Sequence, residues 1–250
     1  MSKVVAVLNQ KGGVGKTTTA VNLGVALAEN SFKVLLIDLD PTGSLTNWLA
    51  DSDPVIDSGL DDLLQCEAAP HDILRKAEKL GIDFIPPGKN LRDVAADRNL
   101  DSNTLRQRLG DFIDNYHFVL IDCPPSSDFL AASALAAADS IIIPIQTETL
   151  PLQAGIKFLD WLGEFRMRNE SRIDIMGVLP CMYDSRTRLS KRILDAMRSS
   201  ENLGPLVFDT VIRKNATLAE LPGSGKSIFR SASTSCPIHR AGTPLISTSC

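Results

Sequence analysis

Short apolar runs rich in β-branched residues alternate along the chain with longer stretches in which apolar positions recur every three or four residues. Val4 to Leu8 is the first such run and suits a strand buried on both faces. A glycine-rich turn from Asn9 to Gly15 follows. Residues 17–29 then place Ala20, Val21, Leu23, Gly24, Leu27 and Ala28 at helical spacing. Lys33 to Ile37 is the next buried run, and it ends in Asp38-Leu39-Asp40-Pro41. Strand, helix and strand in such close succession predict a βαβ unit and hence a parallel sheet.

The alternation continues downstream. Further strands are predicted at 82–85, 118–121, 140–145 and 175–179, with a last one starting at Leu206-Val207-Phe208. Helices are predicted near 60–65, 71–79, 102–115, 128–138, 152–169 and 187–199. Six or seven mostly parallel strands alternating with helices describe an α/β fold, a three-layer doubly wound sandwich, as one domain over residues 1–229. From Leu221 to Cys250 there is no Asp or Glu, ten residues are Ser or Thr, and helical periodicity stops after Phe229. Such a segment buries too little apolar surface to offset its ordering entropy, so residues 230–250 are expected to form a disordered Ser/Thr-rich tail.

Composition narrows the class. Apolar residues make up 44% and charged residues 22% of 250, the balance of a globular chain. Its 26 basic and 30 acidic residues give −4, so any contact with nucleic acid needs a local basic patch. The most apolar stretch, Ala131 to Ile145, carries Asp139 and Pro144 and is too short for a membrane span. Met1-Ser2-Lys3 runs into the first strand without a small-residue cleavage site, which argues against a signal peptide. Five scattered cysteines without a CxxC pair suit a reducing, cytoplasmic setting.

Chemistry concentrates where strands end. Lys11-Gly12-Gly13-Val14-Gly15-Lys16-Thr17-Thr18 lies between a strand and a helix. Glycines there let backbone N–H groups converge on phosphate oxygens, and the helix N-terminus adds partial positive charge. Lys16 is placed to reach β- and γ-phosphates, Thr17 to hold Mg²⁺ and Thr18 to bond the α-phosphate. A second glycine-rich stretch, Gly223-Ser224-Gly225-Lys226-Ser227, has Glu220 where the first glycine belongs, starts no amphipathic helix, and reads as a flexible loop. Asp38, Asp40 and Asp122 close two strands at the sheet edge where ligands bind in open α/β folds. Asp122 is placed to hold Mg²⁺ through its water shell, and of Asp38 and Asp40 one could position metal-bound water and the other the attacking water.

Taken together, Lys11 through Thr18, Asp38 through Ser44, and Ile121-Asp122-Cys123-Pro124-Pro125-Ser126 resemble the deviant Walker A, A′ and B motifs of the ParA/MinD ATPases. Pro144-Ile145-Gln146-Thr147-Glu148, Tyr183 to Thr187 and Ile212 to Asn215 continue the resemblance, which covers roughly residues 1–229 and is strongest toward ParA (Soj-like) partition proteins. It implies a P-loop fold, ATP and Mg²⁺ as ligands, weak basal hydrolysis and an ATP-sandwich homodimer. In such a dimer Lys11 would cross to the partner's phosphates and Gly12 would allow the close approach. Gly13, Val14 and Gly15 would complete the phosphate loop, Asp40 would orient water, Asp38 would support the metal and Asn215 would lie at the adenine. Thr42 stands where the family usually has Gln, Arg213 where it usually has Pro, and the tail replaces a terminal amphipathic helix.

Among functions of that family, the resemblance and the charge pattern favour a partition or cargo-positioning ATPase that binds DNA non-specifically. Arg186, Arg188, Lys191, Arg192 and Arg198 cluster against Asp195 alone, and Arg213 and Lys214 could join them. No helix-turn-helix precedes the phosphate loop, which argues against operator recognition. The resemblance further implies a ParB-like or cargo-adaptor partner that stimulates hydrolysis, in a cytoplasmic, nucleoid-associated setting. The alternative is a MinD-like membrane-cycling ATPase, but no stable membrane anchor is expected, because 231–250 lacks both a basic face and an apolar stripe. A cluster-bearing reductase would need paired cysteines, and only Cys123 lies near the loop.

Overall fold

The computed structural model describes residues 2–50, 57–97, 99–126, 128–147, 151–169, 171, 173–221 and 225–231, with the backbone alone at 151–154, 219, 230 and 231. The β-branched runs become strands β1 (Lys3–Val7), β2 (Val34–Asp38), β3 (Arg75–Ala77), β4 (Ile82–Ile85), β5 (Phe118–Asp122), β6 (Ser140–Gln146) and β7 (Asp174–Cys181). Helices are α1 (Lys16–Glu29), α2 (Ser44–Leu49), α3 (Leu60–Leu64), α4 (Leu91–Ala95), α5 (Thr104–Leu109), α6 (Phe129–Ala137), α7 (Pro151–Asn169), α8 (Arg188–Ser199), α9 (Ala216–Glu220) and α10 (Ile228–Ser231). The sheet order is β3-β4-β2-β5-β1-β6-β7, parallel throughout except for β3 against β4.

Strand alternation divides the interior in two, as a doubly wound sheet requires. Val4, Ala6, Leu35, Ile37, Val119 and Ile121 face a core closed by side chains of α3, α5, α6 and α7. Val5, Val7, Val34, Leu36 and Leu120 face the other core, closed by Ala20, Val21 and Val25 of α1, by Leu45 and Trp48 of α2, and by Ile228. Gly24 brings α1 close to the sheet, since a Cβ there would stand 2.9 Å from Leu36 Cδ2.

The chain leaves β1 toward β2 on one side and later reaches β6 on the other. The strand order therefore reverses at β1, and a crevice opens beyond its C-terminal end. The register sets Asp122 beside Val7 and beside Asp38, so the strand-end carboxylates share one rim.

Several predicted elements differ from those observed. Residues 71–79 form no helix. They contain β3, which pairs antiparallel with β4 through a turn closed by Gly81 at φ 70°. The open edge of β4 supplies backbone partners that outweigh the local helical spacing. Over 102–115 the α-helix is confined to α5, because Gly110 (φ 43°) breaks it and a 3₁₀ segment, Gly110–Asn115, follows. The run at 206–208 contributes one isolated bridge, Val178 to Val207, rather than a strand. Short helices α2, α4 and α9 carry too few turns to show a period.

The glycine-rich stretch near 225 is also more ordered than a flexible loop. Trp48 Nε1 donates to the Lys226 carbonyl at 2.8 Å, Ile228 N–H donates to Asn22 Oδ1 at 3.0 Å, and α10 packs on α1. Residues 222–224 and the expected tail from 232 onward lie outside the described residues. Among the described residues no helix is long and apolar enough to cross a membrane.

Two glycines test this packing with opposite signs. A Cβ on Gly59 would stand 2.3 Å from Gly88 N and 2.7 Å from Pro86 O, backbone atoms that cannot step aside. Gly59→Ala is expected to destabilise the chain by about 2–4 kcal/mol. Gly163, inside α7, has open space where a Cβ would stand, with nothing within 4 Å. Gly163→Ala should stabilise by about 0.5–1 kcal/mol. Denaturant midpoints of the two variants check both signs.

Candidate active site

The loop after β1 is shaped by its own polar residues as much as by its glycines. Asn9 Oδ1 accepts the Lys11 N–H at 2.9 Å, and its Nδ2 donates to the Pro144 carbonyl at 2.7 Å, pinning the loop to β6. Gly13 (φ 71°) and Gly15 (φ 98°) occupy the left-handed region, and Gly15 caps α1. The first N–H groups of α1, at Lys16, Thr17 and Thr18, are thereby presented at a helix N-terminus. Lys16 is 6% exposed and its Nζ donates to the Lys11 carbonyl at 3.1 Å. Gln146 supports the loop from β6: its Nε2 donates to the Gly13 carbonyl at 2.7 Å, and its Oε1 accepts from Lys11 Nζ at 3.0 Å.

Below the loop lie two fully buried carboxyls. Thr17 Oγ1 donates to Asp122 Oδ2 at 2.6 Å, while Asp122 Oδ1 is buried with no partner among the described residues. Asp38 Oδ2 accepts both the N–H and the hydroxyl of Thr46, each at 2.8 Å, which ties it to the first turn of α2. Asp38 Oδ1 accepts the Asp40 N–H at 3.3 Å. Asp40 itself forms a turn, accepting the Thr42 N–H at 2.9 Å, and stands in the wall of the cleft. That cleft, about 330 Å³, runs between the loop, Asp40, Trp48, Pro125 and Met182. Met182 is itself left-handed (φ 55°), an uncommon conformation for a side chain that concentrates strain at the site.

The donor set fits a hard divalent cation. A threonine hydroxyl and a carboxylate with one oxygen unclaimed are oxygen ligands of the kind Mg²⁺ takes. Among the described residues no cluster of three His, Cys, Asp or Glu is available to enclose a metal. A cation here would therefore draw most of its ligands from phosphate and water, as Mg²⁺ does in nucleotide sites. The buried thiols do not compete. Burial pushes Cys123 well above the usual thiol range and Cys181 up to about 12, so neither offers a thiolate.

The basic residues gather at the neighbouring rim. Residues 212–214 run beside the end of β7, with Ile212 N–H donating to Pro180 O and Lys214 N–H to Tyr183 O. Exposed Arg213 and Lys214 thus stand by the loop that carries Arg186. On α8, capped by Thr187, exposed Arg188, Lys191 and Arg192 share one face by their spacing, opposite buried Leu194 and Met197. Arg186 forks onto Asp184, whose carboxyl it holds down to about 2. Arg198, counted with this cluster in the sequence, is tied by its guanidinium to the Asp209 carbonyl. Asn215 caps α9, its Oδ1 accepting from Thr217 and Leu218 N–H, and is exposed.

Sequence patterns single out the loop and its carboxylates, and place Gln146 in a motif without giving it a role, but they do not single out Asn9 or Thr46. Each sits at the end of a strand or one turn after a motif, and only the folded register shows which main-chain group it holds. Glu148, which follows Gln146 in the same motif, lies outside the described residues.

Burial raises both carboxyls: Asp38 from 3.8 to about 7, and Asp122 well above its ordinary range, each further raised by the neighbouring carboxylates. Burial likewise lowers Lys16, against the pull of Asp122. As pH rises from about 4, the unfolded chain loses these protons first, so folding weakens until Asp38 ionises near 7. Without nucleotide or divalent cation, stability is expected to fall by on the order of 2 kcal/mol between pH 5 and 7. Asp38→Asn should flatten that slope. Denaturation curves in chelator across the window check it, and a rising stability contradicts the assignment.

Known proteins resemble this chain over most of its length. The family described as an AAA domain matches residues 2–175. The chain is 38% identical over 232 residues to the chromosome partitioning protein ParA of Caulobacter vibrioides, covering 91% of this chain and 86% of that one. It is 37% identical over 235 residues to the chromosome-partitioning ATPase Soj of Thermus thermophilus, covering 94% and 90%. A structure titled cobyrinic acid a,c-diamide synthase, from Mycobacterium smegmatis with bound ATP analog and magnesium, superposes with a TM-score of 0.79 at 32% identity, covering 89% and 91%. The ATP complex of a Cyanothece McdA variant superposes at 0.81 with 24% identity over 92% and 90%, a likeness of fold alone. Because the matches to ParA and Soj take in more than nine-tenths of its length, the chain belongs to the ParA/MinD family of deviant Walker A ATPases, on the ParA and Soj side.

Proposed function

We propose that this chain is a Mg²⁺-dependent partition or cargo-positioning ATPase that pairs as an ATP-bound homodimer, binds duplex DNA without sequence preference, and releases it on hydrolysis. The observation that carries the nucleotide chemistry is the Thr17–Asp122 hydrogen bond with Asp122 Oδ1 left unclaimed beneath a helix N-terminus. Mg²⁺ bound there would neutralise charge developing on the phosphate oxygens.

The chain's own groups divide the remaining work. The N–H groups from Gly12 to Thr18 cradle phosphate, with Val14 and the glycines setting the loop. Lys16 leaves the Lys11 carbonyl to reach the β- and γ-phosphates, and Thr18 serves the α-phosphate. Thr17 and Asp122 hold the metal, with Asp38 behind them. Asp40, fixed by its turn to Thr42, orients the attacking water. Lys11 acts across the dimer interface on the partner's nucleotide, and Gly12, with only Pro125 Cβ near its open side at 3.9 Å, leaves room for that approach. Asn215 and its loop serve the adenine side.

The exposed basic rim supports the DNA reading. Arg186, Arg188, Lys191, Arg192, Arg213 and Lys214 lie at one end of β7 and along one face of α8, and dimerisation would double them. Their positions support phosphate contacts without base readout. A ParB-like or cargo-adaptor protein would complete water positioning and stimulate an otherwise weak hydrolysis, in the cytoplasm and on the nucleoid.

Binding of arbitrary duplex DNA without nucleotide, with ADP and with ATP tests the reading, in wild type and in Asp40→Ala. Binding is expected only with ATP, to persist in Asp40→Ala, and to weaken by about 10³-fold between roughly 50 and 200 mM salt. Arg188→Ala with Lys191→Ala, removing four contacts per dimer, should weaken binding equally for all sequences and lessen the salt slope by about four. An ATP-dependent dimer that binds no DNA would overturn the partition reading and redirect the search to membranes.

A further inference from the structure

Gln146 is the last residue of β6, and its amide meets the phosphate loop at two points. One end donates to the Gly13 carbonyl at 2.7 Å and approaches Met182 Sδ at 3.2 Å; the other accepts from Lys11 Nζ at 3.0 Å. The chemistry fixes this orientation. A carbonyl only accepts, so the NH₂ end must face Gly13, and the oxygen is left to face the ammonium. Lys11 is held at its other end too, by Asn9 Oδ1 on its N–H. The exposed lysine is therefore turned back onto its own sheet rather than outward.

We propose that Gln146 is a positioning residue that clasps Lys11 to its own subunit, so that pairing requires this contact to be exchanged for one across the interface. The inference rests on the reading above, in which Lys11 acts on a partner's nucleotide. The strength of the contact suits an exchange. The amide oxygen brings no charge of its own and lies beside solvent, whereas a phosphate offers the same ammonium a full opposite charge. A carboxylate in the same place would compete with that phosphate. An apolar residue would leave Lys11 free before nucleotide arrives. Because the same amide also grips the Gly13 carbonyl, any movement of the loop on phosphate is felt at the clasp.

The test begins without nucleotide. Brief acetylation of the full chain, read by mass spectrometry, reports the reactivity of each lysine, with Lys33 and Lys226 as internal references. Gln146→Met should raise Lys11 labelling about threefold, and Gln146→Glu should lower it. The protein concentration for half-dimerisation in a non-hydrolysable ATP analogue, by light scattering, should then fall about fivefold in Gln146→Met. Unchanged Lys11 labelling overturns the clasp. Raised labelling with an unchanged dimerisation threshold overturns its role in pairing. Equal losses of ADP and analogue affinity without a labelling change make Gln146 a strut for Gly13 and also overturn the proposal. A wild type that never dimerises with the analogue defeats the dimer reading instead, while the labelling still decides the clasp.

Discussion

Two carboxyl groups, Asp38 and Asp122, sit side by side at the ends of adjacent strands with no solvent access. Burying like charges together is unfavourable unless something in the site absorbs them, and most of the surrounding structure answers that need. Thr46 gives Asp38 two donors and so fixes the start of α2. Thr17 gives Asp122 one donor and so fixes the start of α1. Lys16 lies buried close enough to be pulled by Asp122. The two helix starts that frame the cleft are thus anchored to the same pair of carboxyls. What is left over, one unclaimed oxygen and a raised proton affinity, is the capacity to take up a cation.

The arrangement also explains why the chain withholds its lysines. Lys16 donates to a carbonyl of the loop and Lys11 to the amide oxygen at the end of β6. Both contacts lie beside Gly13 and Gly15, whose left-handed conformations shape the loop. The loop is preorganised by internal substitutes for the phosphate, each of which a stronger acceptor can displace.

Much of this was legible in the sequence because the strongest signals are local. Val4 to Leu8, the glycine loop and the first helix announce themselves by composition and order, and Asp38 and Asp122 by ending strands. What stayed hidden depends on contacts between distant residues. The helix spacing at 71–79 yields to the open edge of β4, and Gly110 ends a helix whose pattern runs on. Asn9, Thr46 and Gln146 are ordinary polar residues until the register brings Pro144, Asp38 and Gly13 beside them. The stretch at 225–228 reads as loop because its partners, Trp48 and Asn22, lie far back in the chain.

The position of β1 has a consequence for how the protein is made. Strand β1 is central in the sheet, yet its partners β5 and β6 begin only at Phe118 and Ser140, long after it in the chain. The wall of the cleft at Trp48 waits longer still, for the Lys226 carbonyl. Vectorial synthesis therefore leaves the glycine loop tethered to an unpaired strand until β5 has been made. The cleft is therefore completed late, when the stretch around Lys226 docks on Trp48 and α1.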